Sequence, residues 1–198
     1  MRCFKIAIAI FASSICLAQT NNNGAIQQIT SVTPLFSQTN RVTVNSGGAQ
    51  TITGTGAGTA TLPANFFGVA GNTLRFFING IFSVSSTSTA LTVRVTLGGT
   101  LICTIAQSPT VSDSNAGFTI DGYLTANTTG TSGTIACGGR VDLEQQVSPF
   151  ALSGGLSTGA SPVTINTTIA EAFDVTVSWG TFAAGDTLTS VVYVLTSS

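Results

Sequence analysis

Apolar and polar residues alternate along several stretches of this chain. Residues 74–82, 91–97, 118–124 and 173–179 carry an apolar residue or glycine at nearly every second position. A period of two residues is typical of β-strands that bury one face. Helical periodicity of useful length is missing throughout, so the pattern predicts strands and no long helix.

The second of these stretches predicts a β-hairpin. Residues 91–97 are followed by Gly98 and Gly99, and alternation then resumes from Leu101 to Ile105. Two adjacent glycines supply the positive φ angles that a two-residue hairpin turn requires. The sequence therefore predicts two antiparallel strands joined at this turn.

The whole chain reads as an all-β protein. About nine or ten strands at intervals of roughly 8–15 residues are typical of a sandwich. The remaining predicted strands cover residues 29–36, 50–53, 118–126, 133–143, 163–169 and 188–195. We predict a two-sheet antiparallel β-sandwich, with the jelly roll as its architecture. Residues 29–198 form this single domain, and the polar residues 19–28 form a flexible N-terminal arm.

The first residues have the pattern of a secretory signal peptide. Arg2 and Lys5 precede an apolar run at residues 6–17, which the small residue Ala18 follows. The run is shorter than the ~20 apolar residues that a membrane-spanning helix needs. We therefore expect cleavage of residues 1–18, a secreted, extracellular protein, and no transmembrane segment after signal removal.

Composition beyond residue 18 restricts the chemistry available. This segment contains no histidine, lysine or methionine, and its cations are Arg41, Arg75, Arg94 and Arg140. Histidine and lysine perform most proton transfer and amine chemistry near neutral pH, and histidine is the commonest metal ligand. Nucleic-acid binding needs clustered cations, which scattered arginines do not provide. We expect no enzyme activity, no cofactor, no metal and no nucleic-acid partner.

Paired carboxylates are the remaining route to catalysis, because a glycosidase needs two of them about 5–10 Å apart. Asp142 and Glu144 are two positions apart on a predicted strand, and Glu171 and Asp174 flank the start of another. We interpret both pairs as solvated charges that keep strand edges from pairing with other chains.

Two kinds of covalent modification are candidates. Cys103 and Cys137 are the cysteines that remain beyond residue 18. In an oxidising compartment such a pair predicts one disulfide, and the alternative is two buried free thiols. Asn127 and Asn166 each begin an Asn-x-Thr sequence, so both are candidate N-glycosylation sites if the source is eukaryotic.

Several aromatic and apolar residues bear on binding. Trp179 and Tyr193 are candidates for a sugar-stacking platform, but each lies in a strongly alternating strand, so we favour a core position for Trp179. Phe77 and Ile81 lie on the opposite face of residues 74–82 from its main apolar row. A sandwich would leave one of these two side chains exposed unless a partner or a loop covers it, which predicts self-association.

Three segments resemble a known group of domains. They are PANFFGVAGNTLRF at 63–76, LTVRVTLGGT at 91–100 and FDVTVSWG at 173–180, with GDTLT following at 185–189. Together they resemble the β-jelly-roll domains of tailed-phage virion appendages, namely fibre, collar and decoration modules, over residues 61–195. The resemblance implies a trimeric, protease-resistant attachment or structural module, and it carries no catalytic residues. Virion proteins need no signal peptide, so a cellular, exported relative is preferred.

These observations favour a secreted, non-catalytic structural or adhesive protein that forms oligomers. Beyond residue 18, four arginines face seven carboxylates, and so small a charge leaves little repulsion between copies. The alternative is a secreted recognition module, either a lectin or a trimeric ligand like the tumour-necrosis-factor and C1q domains, which share the jelly roll. Its partner would be a glycan or another cell-surface molecule. A carboxylate-dependent hydrolase is the third class, and the lack of clustered acids argues against it.

Overall fold

The computed structural model describes residues 19–20, 26–27, 34–85, 90–109, 112–144, 152–159 and 161–197. These residues form strands, turns and loops without a helix, which confirms the predicted all-β class. In the described part of the chain no helix is long and apolar enough to cross a membrane. The predicted signal peptide at residues 1–18 lies outside the described residues.

The chain divides into two units, residues 1–33 and residues 34–198. In the first unit, strand β1 (Gln19–Thr20) pairs with strand β2 (Ile26–Gln27) in antiparallel orientation. The strands of the second unit are β3 (Pro34–Gln38), β4 (Val42–Val44), β5 (Gln50–Thr51), β6 (Gly56–Gly58), β7 (Thr61–Leu62), β8 (Thr73–Val84), β9 (Leu91–Leu97), β10 (Thr100–Gln107), β11 (Asp113–Thr128), β12 (Gly133–Leu143), β13 (Leu152–Ser157), β14 (Val163–Ile165), β15 (Glu171–Trp179) and β16 (Thr187–Ser197).

Eight strands of the second unit pair in a nested order. Strand β3 pairs with β16, β5 with β15, β8 with β11, and β9 with β10, all antiparallel. Two further pairings, β16 with β8 and β15 with β9, complete the four-stranded groups β3-β16-β8-β11 and β5-β15-β9-β10. Nested pairing of eight strands into two groups is compatible with the predicted jelly roll.

The two groups belong to one curled sheet. Strand β12 extends the first group from β11, and β13 continues from β12 to β10. The contact between β13 and β10 is a single residue pair, Thr104 with Ser157. In the described residues the two expected sheets are therefore two halves of one sheet, which meet at this narrow seam.

The hairpin and several strand limits agree with the sequence, and one strand is shorter than predicted. Leu97 pairs with Thr100, and Gly98 and Gly99 have φ angles of 56° and 78°, which confirms the predicted turn. The strand expected over residues 163–169 ends at Ile165. The Asn166 side chain accepts hydrogen bonds from the backbone and hydroxyl of Thr168, and this local turn ends the strand.

Aromatic side chains connect the two halves across the core. The ring of Phe173 on β15 lies 5.2 Å from that of Phe76 on β8 and 6.4 Å from that of Tyr193 on β16. Trp179 is buried, as predicted, and Tyr193 is fully buried. Burial raises the pKa of the Tyr193 hydroxyl far above its ordinary value. Neither ring is therefore available as a surface platform for sugars.

Two glycines on the inner face make room for phenylalanine rings. A Cβ atom placed on Gly122 of β11 would lie 2.3 Å from Cζ of Phe76, and one on Gly80 of β8 would lie 2.6 Å from Cε1 of Phe118. Both rings are buried. The sheet thus seats each ring directly against a neighbouring backbone, which a side chain at either position would prevent.

Replacing Gly122 with alanine should destabilise the domain by about 1–3 kcal/mol, because the added methyl group overpacks the core against Phe76. Gly155 on β13 is the matched control, since a Cβ there would meet nothing within 4 Å. The control Gly155→Ala should change stability by no more than about 0.5 kcal/mol. Urea unfolding of both variants measures the difference, and equal midpoints would contradict the interpretation.

The structure joins Cys103 on β10 to Cys137 on β12. Their Cα atoms are 6.1 Å apart, within the limit of about 7 Å for a disulfide. The bond closes a sequence separation of 34 residues and lies beside the seam, where β10 and β13 share one residue pair. It therefore holds the two halves of the sheet together covalently at the point where hydrogen bonding is sparse.

Removing this bond should cost about 3–4 kcal/mol of unfolding free energy on the loop-entropy model. The double variant Cys103→Ala/Cys137→Ala and wild-type protein treated with dithiothreitol should both show the loss in urea unfolding. Treating the double variant with dithiothreitol is the control and should change nothing. Wild-type protein that unfolds identically with and without reductant would show that the thiols are not joined.

Candidate interaction surface

The carboxylates considered for catalysis are engaged in separate local contacts. Asp142 pairs with Arg140, with 3.1 Å between Oδ2 and Nε. Asp174 accepts hydrogen bonds from the hydroxyls of Thr51 and Thr53 at 2.5 and 2.9 Å. Glu171 lies three positions before Asp174 on β15, so the two side chains leave opposite faces of the strand. The structure does not bring this pair together on one surface.

The carboxylates of Glu144 and Glu171 lie over the glycine residues Gly117 and Gly98, respectively. A Cβ placed on Gly117 would lie 2.5 Å from Oε2 of Glu144, and one placed on Gly98 would lie 1.7 Å from Oε2 of Glu171. In the described ranges no group of three or more histidine, cysteine, aspartate or glutamate residues lies close enough to hold a metal ion.

We expect the protein to show no turnover of glycosides or esters, because the carboxylates bind neighbouring side chains or cover glycines. The measurement is a substrate screen with the wild type, Glu144→Gln and Glu171→Gln. Each substitution should change stability by less than about 0.5 kcal/mol. Hydrolysis that either substitution abolishes would contradict this prediction.

The two candidate glycosylation sites differ in exposure. Asn127 is exposed near the end of β11, whereas Asn166 is partly buried after β14. The Oδ1 atom of Asn166 accepts hydrogen bonds from the amide and hydroxyl of Thr168 at 3.0 and 2.7 Å. Modification of either residue stays a prediction.

The outer faces of the two halves differ in character. On the half formed by β15 and β9, the outer side chains are threonine, serine and single charges, and Arg94 donates to Ser178 at 2.8 Å. On the half formed by β8, β11 and β16, three large side chains are exposed: Phe77 by 42 %, Tyr123 by 45 % and Val192 by 40 %. We call this second surface the aromatic face.

Strand register fixes the layout of the aromatic face. Phe77 on β8 lies between Asp121 on β11 and Val194 on β16. One row away, Arg75 lies between Tyr123 and Thr196 on the same strands. Side chains directly opposite each other on one face have Cβ atoms about 4.5–5.5 Å apart. The exposed rings are therefore neighbours on one continuous surface.

A β-bulge places the valines of β16 on this face. The register shifts between Ser190 and Val192, and the buried positions change from Leu188 and Ser190 to Tyr193 and Leu195. The Ser190 hydroxyl is buried and donates to the carbonyl of Ile52 at 2.8 Å. The bulge thus turns Val192 outward. Simple alternation along residues 188–195 does not show this change of face.

Charges of both signs lie on the aromatic face and on the adjoining outer face of β12. Arg140 is paired with Asp142. Arg75 and Asp121 carry opposite charges in adjacent rows, and neither has an ion-pair partner among the described residues. With Glu144, whose carboxylate lies over Gly117 of β11, this surface has two cations and three anions, so a second copy of the same face meets only weak repulsion.

A shallow groove lies beside the seam. It has a volume of about 370 Å³ and is lined by residues of β10 and by the segment that follows β13. Leu101, Thr104, Ser157 and Val163 form its walls. These aliphatic and hydroxyl side chains differ from the aromatic and charged side chains of the aromatic face.

No family model and no curated protein sequence matches this chain. Among solved structures, the CBM2 module of the evolved Dit of Lactobacillus casei BL23 phage J-1 is similar, with 9 % sequence identity and a TM-score of 0.31. The match covers 69 % of this chain and 66 % of that one, slightly less than two thirds of its length. No residue role is carried over from this neighbour.

Proposed function

We propose that this chain is a secreted, non-catalytic structural or adhesive protein that self-associates through the aromatic face. The observation that carries the proposal is the exposure of Phe77 in the middle of a long-stranded sheet. Its ring is 42 % exposed, and Ile81 on the same face is partly buried. Exposed aromatic side chains with apolar neighbours are typical of interaction surfaces.

The energetics favour a second copy as the partner. Phe77, Val192 and Val194 form an apolar strip across β8 and β16. Each Å² of apolar surface removed from water contributes roughly 25 cal/mol. The mixed charges of this surface and the small net charge of the chain oppose contact only weakly. A closed symmetric assembly would also cover strand edges that otherwise invite uncontrolled pairing.

Secretion is supported by the cysteines as well as by the signal pattern. Disulfides persist in oxidising compartments and are rare in the cytosol. The Cys103–Cys137 bond joins the two halves of the sheet at their seam. A protein that depends on this bond for stability is suited to the extracellular space. The proposed trimer rests on the resemblance to phage appendage domains.

Substituting Phe77 with aspartate should shift the protein from oligomer to monomer, because a charge would be buried in the centre of the interface. Sedimentation equilibrium at micromolar concentration measures the mass. The matched control is Leu101→Asp, which alters a side chain of similar exposure, 45 %, on β10. This control should keep the mass of the wild type.

A wild-type protein that sediments as a monomer at this concentration would contradict self-association. An oligomer that Phe77→Asp leaves intact would contradict the choice of face. A wild-type mass of three chains would support the trimer, and any other multiple would contradict it. Urea unfolding confirms in each case that the variant is folded.

A further inference from the structure

One end of the aromatic face holds a tyrosine that leans over the neighbouring strand. A Cβ atom placed on Gly138 of β12 would lie 2.4 Å from Oη and 2.5 Å from Cζ of Tyr123. The far edge of the ring therefore rests against the backbone of β12, in the space that the missing side chain leaves. The side chain is still 45 % exposed, so much of the ring remains open to solvent.

Charged side chains of β8, β11 and β12 lie near this ring. Arg75 is directly opposite Tyr123, and Asp121 is two positions away on the same face of β11. Arg140 lies opposite Asp121 on β12 and is largely exposed. Guanidinium and carboxylate groups at these positions provide both donors and acceptors within one cross-strand spacing of the ring.

The surface beyond the ring is flat and hydroxyl-bearing. Ser157 is opposite Gly138 on β13, and Gly155 is opposite Arg140. A Cβ on Gly155 would meet nothing within 4 Å. Ser153, opposite Asp142, is also small and exposed. The outer face of β13 therefore leaves open space in the direction in which Tyr123 leans.

We propose that Tyr123, Arg75, Asp121 and Arg140 form a binding site for the pyranose ring of a saccharide. A pyranose has one face of C–H groups, which an aromatic ring covers, and a rim of hydroxyls. Arginine and aspartate bind pairs of hydroxyls through charge-assisted hydrogen bonds. The site deepens the adhesive role and rests on that proposed function.

The surroundings of Tyr123 favour a saccharide over a second copy of the chain. Protein hot spots lie in apolar, fully desolvated patches. The apolar strip of Phe77, Val192 and Val194 fits that description and lies towards β16. The outer positions of β12 and β13 near Tyr123 are instead small residues (alanine, glycine and serine) and charged residues. The two ends of the aromatic face therefore suit two different partners.

A glycan array of neutral and acidic oligosaccharides tests the site with the full-length secreted protein. The wild type should bind a restricted set of glycans. Tyr123→Ala should lower binding to that set at least tenfold, a change of about 1.4 kcal/mol. Tyr123→Phe should keep most of the binding, because the ring remains. Gly138→Ala should lower it, because the new methyl group displaces the tyrosine ring from β12.

The matched control is Phe182→Ala, which removes an exposed ring (40 %) in the loop between β15 and β16, outside the aromatic face, and should leave glycan binding unchanged. Sedimentation equilibrium on the same samples separates this proposal from self-association, since Tyr123→Ala should keep the mass of the wild type. Urea unfolding checks that each variant is folded.

Three results would overturn the site. In the first, the wild type binds no glycan selectively. In the second, Tyr123→Ala binds the same glycans as tightly as the wild type does. The third is a loss of mass in Tyr123→Ala like that in Phe77→Asp, which would assign the tyrosine to the interface between copies. In the first two cases the sedimentation result for Phe77→Asp still decides self-association independently.

Discussion

The domain depends on one layer of aromatic side chains packed between the two halves of its sheet. Each half has an apolar inner face, and stacking removes both from water at once. Phe173 from one half contacts Phe76 and Tyr193 from the other. Because Gly80 and Gly122 have no side chains, the rings of Phe118 and Phe76 reach the sheet backbone. This contact joins the inner faces of the two halves.

Buried polar groups determine how the loops and bends meet this core. The carboxylate of Asp186 is fully buried and accepts hydrogen bonds from the amide and hydroxyl of Ser85 and from the amide of Ala183. A buried carboxylate is stable only with such donors, so the contact ties the loop before β16 to the end of β8. Ser190 similarly binds the carbonyl of Ile52 at the bulge of β16. The Ser190 contact fixes the bulge, and the bulge sets which side chains of β16 reach the surface.

The two outer faces have different consequences for function. A face of threonine, serine and single charges is well hydrated and has little tendency to bind an apolar partner. The aromatic face presents Phe77 and Tyr123 from two of the longest strands, β8 and β11. Side chains on long, well-paired strands are held more precisely than those on loops. Function in this domain is therefore expected on one face of one half of the sheet.

Local pattern was sufficient for the strands and their buried faces. Alternation along β8, β9 and β15 predicted which side chains point inward, because the pleat of a strand is a property of consecutive residues. The glycine pair predicted the hairpin turn, and Phe77 and Ile81 were expected on the opposite face of β8. The joining of Cys103 to Cys137 was expected because no other cysteines remain beyond residue 18. These features depend on residues close in sequence or on composition.

Only the tertiary structure decided which strands became neighbours. The place of Tyr123 over Gly138, the row of Phe77 with Val194, and the single pair at the seam depend on register between distant segments. Alternation excludes a slip of one residue, but it does not choose between registers two residues apart or between partner strands. The sequence offered Trp179 and Tyr193 as candidate surface rings and favoured a core position for Trp179, and both lie in the core. Whether an aromatic side chain reaches solvent depends on what packs against its face, and that is set by the three-dimensional pairing of the strands.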